Sequence, residues 1–290
     1  MRSGNQTSAQ TMKRNVVVRN LTLQHYTDFI YAKQALRLWG DNTMIEDCEM
    51  RDNNIAGLSV GEEFASQTMR RVTMYHNGYG GAGGTRPENF LVEDCNASEN
   101  NWRGDWGDFN GWAMAGMKFM GPGSPRTREG AEVRRYRAVR NLTHGLWFDH
   151  SDDDPAPIVI TDSLMSNNRK AFELYTEKQP GPITVSNVVL WHDDYYGAWQ
   201  CVARKVDFRD SIMRTKNWRC IQYGNRDNSD YRWSREVSIS NTVLLHEGTA
   251  GWIFVEYTDQ DQWLDFLSTY TGMANTYFDP YQADVFCISN

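Results

Sequence analysis

The sequence predicts an all-β fold, a right-handed parallel β-helix of about nine coils, from the repetition, strand chemistry and turn chemistry of the chain. An alternating apolar segment ending in Asn or Asp recurs, the segments are rich in Val, Ile and Thr, and Asn, Asp, Gly and Ser separate them. Strong copies are VVVRNLTL at Val16, TMIEDCEM at Thr43, NFLVEDCNA at Asn89, PIVITDSLM at Pro157, PITVSNVVL at Pro182, KVDFRDSIM at Lys205 and EVSISNTVL at Glu236, with weaker ones at Thr68 and Glu132. Most neighbouring copies are roughly 23 to 31 residues apart, a spacing typical of stacked repeats. Strands this short cannot bury a face alone. Stacking coil on coil gives each a parallel partner and a continuous inner stripe.

Taken in chain order, residues 1–258 are expected to form the β-helix as a single domain with residues 259–290, interrupted by a loop insertion at about residues 100–130. The glycine run from Tyr79 to Gly84 lacks the lysine and the strand-to-helix setting of a phosphate loop, so it reads as a lid or a turn. A second strand per coil is expected at Gly57, Gly116, Gly145, Glu173, Ala198, Cys220 and Trp252. Residues 259–290 are expected to form a helical cap, because Trp263, Phe266, Leu267 and Tyr270 are spaced like one helical face and Gly272 suits a C-cap.

Composition bounds the function classes. A net charge of -7 argues against nucleic acid as partner, and no apolar stretch reaches the length of a membrane span. The polar start lacks the pattern of a secretory signal, so the expected setting is the cytoplasm, or the exterior if a leader has been removed. The five cysteines have no metal-ligand or redox spacing and read as packed, reduced thiols.

Laying the second strands side by side, alternation turns Leu58, Val60, Met117, Phe119, Leu146, Phe148, Leu174 and Thr176 inward. An outward row then carries Ser59, Lys118, Trp147, Tyr175, Gln200 and Gln222, with Glu173 two residues before Tyr175 and a further row holding Asp149 and Glu177. Equivalent positions on neighbouring parallel strands are ~4.8 Å apart, so the two carboxylates are expected on the order of 5 Å from one another. That separation suits a retaining glycosidase better than an inverting one. Repulsion between them would keep one protonated, giving Asp149 the role of nucleophile and Glu177 that of acid and base. Eleven tryptophans are many for this length, and Trp102, Trp106, Trp112, Trp147 and Trp199 are expected on the loop or the outer rows, where a flat face can stack on a sugar. The expected substrate-binding set is Lys118, Trp147, Glu173, Tyr175, Trp112, His150, Gln200 and Gln222.

The run GLWFD, followed one coil later by a Glu ahead of a Gly-Pro strand start, resembles the β-helical β-xylosidases of glycoside hydrolase family 120 and their relatives. The stretch from Asn100 to Phe119 and the tail TGMANTYFDP are similar to segments of the same proteins, so the resemblance covers about Asn89 to Pro280. It implies an Asp nucleophile at Asp149, a Glu acid/base at Glu177, exo action and an oligosaccharide or polysaccharide partner, with no cofactor. The sequence departs from that pattern after each carboxylate, at His150 to Asp154 and at Lys178 to Pro180. Two alternatives stand beside this reading. One is a calcium-dependent polysaccharide lyase of pectate-lyase type, with Asp149, Asp152, Asp153 and Asp154 holding the ion and Lys118, Arg204 or Lys205 taking a proton. The other is a noncatalytic glycan-binding or adhesin β-helix.

Overall fold

The computed structural model describes residues 14–26, 34–61, 65–86, 88–103, 115–121, 130–149, 156–169, 171–194, 196–216, 218–223, 236–249, 252–256, 260–281 and 286–288. Within them the chain is a parallel β-solenoid with three ladders of strands. The first ladder runs from Val17–Arg19 through Met44–Arg51, Thr68–Tyr75, Phe90–Glu93, Ala131–Arg134 and Ile158–Thr161, and on to Val237–Ser240 and Thr271–Met273. The second follows one corner later, from Thr22–Gln24 to Thr276–Phe278. The third holds Gln34–Leu38, Ala56–Gly61, Ala82–Thr85, Ala115–Met120, His144–Asp149, the first halves of Leu174–Ser186 and Gly197–Arg209, then Arg219–Tyr223, Trp252–Glu256 and Phe286–Ile288.

Each recurring motif supplies a strand to the first ladder, and its terminal Asn or Asp has a physical cause. Asn20, Asp47, Asp94, Asp162, Asn187, Asp210 and Asn241 all have φ between 48° and 58°. They form a column of left-handed turn residues, a conformation these short polar side chains tolerate better than most. The weaker copies put Arg71 and Arg135 at this point, with φ 51° at both. Their guanidinium groups reach the stacked acids of neighbouring coils: Arg71 Nε donates to Asp47 at 2.7 Å and Arg135 Nε to Asp94 at 2.6 Å.

A second column crosses the corner between the second and third ladders. Asn53, Asn77, Asn100, Asn141 and Asn168 are fully buried, and the amide of each donates to the carbonyl oxygen of the next side chain at 2.7 to 3.1 Å as far as Asn168. Each Oδ1 from Asn77 onward also accepts the backbone N–H of the preceding Asn. The column ends at Glu173, whose carboxylate takes the backbone N–H and the side-chain amide of Asn168 and faces Nδ1 of His192 at 2.8 Å. Glycine lies beside this spine because nothing larger fits. A Cβ on Gly116 would meet Gly145 O at 2.6 Å and Asn141 Nδ2 at 2.8 Å.

The expected inner row is the core: Leu58, Val60, Met117, Phe119, Leu146, Phe148, Leu174 and Thr176 are all buried, with Phe90 edge-to-face on Phe119 and Phe119 tilted against Phe148. Cys48, Cys95, Cys201 and Cys220 are buried free thiols. Burial pushes the Cys95 thiol up to about 12, which leaves it inert at neutral pH.

Three sequence expectations need correction. The window 100–130 is not one loop, since Ala115–Met120 is a strand paired on both sides; residues 104–114 and 122–129 lie outside the described residues. The glycine run is not a lid, because Ala82–Thr85 pairs with Ala56–Gly61 and Ala115–Met120. The tail is helical only over Gln260–Thr269, and the strands after it prolong all three ladders. The side chain of Trp263 lies outside the described residues. Phe266 is buried against Tyr223, ring centroids 4.6 Å apart, whereas Leu267 is exposed.

Candidate active site

The outward side of the third ladder brings Lys118, Trp147 and Tyr175 into line. Paired register runs Gly83, Lys118, Trp147, Tyr175, Gln200, Gln222. Gly83 has no side chain, and on the other flank the Lys118 ammonium lies 3.5 Å from the centre of the Trp147 ring. That is cation–π contact with the best of the aromatic partners. Trp147 in turn stacks on Tyr175, centroids 5.0 Å apart and planes 22° apart.

Asp149 closes its strand two residues after Trp147. Its Oδ2 is 2.8 Å from Lys118 Nζ, and both side chains are less than a tenth exposed. Register between the two coils runs Leu146 to Leu174, Trp147 to Tyr175 and Phe148 to Thr176. Asp149 and Glu177 are the next residues along. Beyond Thr176 the chain leaves regular pairing, with Lys178 at φ 47° and a register shift before Gln179. The buried Gln179 amide fastens the two ends together, donating to the backbone carbonyls of Asp149 at 2.7 Å and Glu177 at 2.6 Å. Burial lowers the Lys118 pKa below the ordinary lysine value, while Asp149 and Glu177 both pull it back up. Lys118 thus feels both carboxylates.

His144 packs against the aromatic pair, 4.8 Å from Trp147 and 5.0 Å from Tyr175. Its Nδ1 accepts the Phe172 backbone N–H at 3.2 Å, which leaves the ring proton on Nε2. Burial, reinforced by the Lys118 charge, pushes its pKa down to about 3. The imidazole is therefore neutral at ordinary pH.

The structure corrects several site expectations. The row faces away from the lumen but is not an open face, for Lys118, Trp147, Asp149, Gln200 and Gln222 are all buried and only Tyr175 and Glu177 are half-buried. Glu173 does not join it. It precedes its strand, so strand alternation does not govern it, and the corner turns its carboxylate into the asparagine column. Trp199 is not on an outer row: it pairs with Leu174, is buried in the core and donates Nε1 to Thr176 Oγ1 at 3.2 Å. Trp102 stands on the surface at a corner, stacked on His76. Trp106, Trp112, His150, Asp152, Asp153 and Asp154 lie outside the described residues. Sequence reasoning missed Gln179, whose clamp depends on a bulge that alternation cannot show.

Two unpartnered buried atoms mark the row as polar, Trp147 Nε1 and Gln222 Oε1. A separate cavity of about 450 Å³, lined by Arg140, Asn167, Arg169, Asp193 and Asp194, sits at the corner that leads into the third ladder rather than at the Asp149 end. Among the described residues no helix is long and apolar enough to cross a membrane.

The family model described as "Right handed beta helix region" matches residues 8–212. The chain belongs to the right-handed β-helix family. No curated protein matches this β-helix. Among solved structures, the complex of XylC with xylose is 12% identical, with a TM-score of 0.54 over 92% of this chain and 52% of that one. The Agl-KA catalytic domain is 15% identical, with a TM-score of 0.44 over 91% of this chain and 47% of that one. A GH87 alpha-1,3-glucanase catalytic domain in complex with tetrasaccharides is 9% identical, with a TM-score of 0.43 over 87% and 49%. The β-helix spans about half the length of these structures, and at such identity the likeness is one of fold.

Proposed function

We propose that this β-helix is a carbohydrate-active enzyme, a retaining glycoside hydrolase of β-xylosidase-like, exo-acting type. Asp149 is its nucleophile and Glu177 its acid and base. The observation that carries the reading is the buried Lys118–Asp149 ion pair at a strand end, one residue past the last register pair, Phe148 with Thr176, which Glu177 follows on the next coil. An ionised carboxylate beside an aromatic pair suits attack on an anomeric carbon. XylC, a neighbour with a TM-score of 0.54, was solved with xylose, which favours a pentose among the sugars to try first.

Release of nitrophenol from aryl β-xyloside, α-arabinofuranoside and β-glucoside is the test, with Asp149→Asn and Glu177→Gln beside the wild type and EDTA in parallel. The expected outcome is chelator-resistant release that either substitution lowers by at least about a thousandfold. Release that survives Asp149→Asn would remove the assignment. The depressed pKa of Lys118 favours one second reading, a lyase in which this amine takes a proton from a uronate. Unsaturated product absorbing in the ultraviolet, formed from uronate polymers and lost in Lys118→Met, would establish it instead.

A further inference from the structure

Lys118 touches Asp149 and is within electrostatic reach of Glu177, yet it lies under the Trp147 ring with little access to solvent. Resting on the hydrolase reading above, we propose that Lys118 is a positioning residue that serves the two carboxylates in turn. It holds Asp149 for the first step of hydrolysis and favours ionised Glu177 in the second.

In the first step an Asp149 oxygen forms a bond to the anomeric carbon as the glycosidic C–O bond breaks, and the leaving oxygen takes the Glu177 proton. Asp149 is then an ester and has lost its charge. The ammonium, held against Trp147 and little screened by solvent, then faces Glu177, ionised in that step, in place of Asp149. Its field stabilises Glu177 as an anion, the form needed to accept a proton from water. Water adds to the anomeric carbon, its proton passes to Glu177, and the bond to Asp149 breaks to return the carboxylate beside Lys118. One buried cation thus strengthens whichever carboxylate is ionised.

Stopped-flow hydrolysis of 2,4-dinitrophenyl β-xyloside separates the steps, because this leaving group departs without an acid; the matching arabinofuranoside or glucoside replaces it if that sugar is the one released. In Lys118→Met the second-step rate constant is expected to fall at least about tenfold more than the first, with glycosyl-enzyme visible by mass spectrometry and the second step restored by azide, which needs no base. Lys118→Arg should keep the ratio of the two steps within about threefold of wild type. Lys118→Gln takes the place of the Met variant if the latter fails to fold. Equal loss in both steps, or no loss, would overturn the role of Lys118 while leaving the hydrolase reading intact so long as Asp149→Asn is dead. A wild type that releases nothing would overturn both.

Discussion

Burial sorts the charges of the candidate site residue by residue. Burial draws the Lys118 pKa down while Asp149 and Glu177 pull it back up, whereas His144, with a backbone N–H as its ring partner, loses its charge to the same burial. The pH consequence follows from linkage. An unfolded histidine binds a proton near pH 6.5, but folded His144 does so only near 3. Between those values the unfolded state holds more protons, so folding stability falls as pH is lowered from 6.5, by up to ~1.4 kcal/mol per unit from this residue. His144→Gln retains an acceptor for Phe172 and removes the titration, so urea midpoints at pH 7 and pH 5 should converge relative to wild type. A variant with the same pH dependence would show that another group is responsible.

Among the elements, much of what the strands do could be read from side-chain type, and what the corners do mostly could not. The Asn and Asp of each repeat were visible because a left-handed turn selects them, and the copies at Thr68 and Glu132 looked weak because Arg71 and Arg135 occupy that turn. Ala274 occupies the same point of the last coil at φ 53°, with no polar side chain to ease it. Ala274→Asn is therefore expected to stabilise the fold by about 0.5–1 kcal/mol, measured as a rise in the denaturation midpoint. The asparagine column escaped notice because its members are unevenly spaced, with 41 residues from Asn100 to Asn141 but 23 from Asn77 to Asn100. A lone Asn in a turn also reads as ordinary turn chemistry. Asn100→Ala should cost at least ~3 kcal/mol, since Asn77, Asn141 and the Met74 carbonyl each lose a buried partner. A change under 1 kcal/mol would mean that solvent enters the corner. At the site, the Lys118, Trp147 and Tyr175 alignment followed from strand parity. The clamp by Gln179 and the withdrawal of Glu173 did not, because both depend on backbone that leaves the strand conformation.

For the whole molecule, a solenoid is stabilised between neighbours, so its stability is graded along its axis. All six residues of His144–Asp149 are buried, whereas Thr271–Met273 and Thr276–Phe278 are exposed throughout. Amide hydrogen exchange should accordingly be fastest at the C-terminal rung and slowest around Leu146 and Phe148; uniform protection would argue for a single cooperative unit. The asparagine column also bears on how such a chain can grow. An amide that donates to an identical amide above and accepts from one below leaves no odd group when a unit is added or removed. Between Asn53 and Asn168 a coil can therefore be duplicated or deleted with every spine hydrogen bond re-formed. The Glu173–His192 joint has no such symmetry, since an acid and an imidazole each need their own mate. Length can thus vary between Asn53 and Asn141, ahead of Asp149, and is blocked at the Glu173–His192 joint on the coil of Glu177, so a lineage can lengthen its scaffold without disturbing the spacing of the two acids.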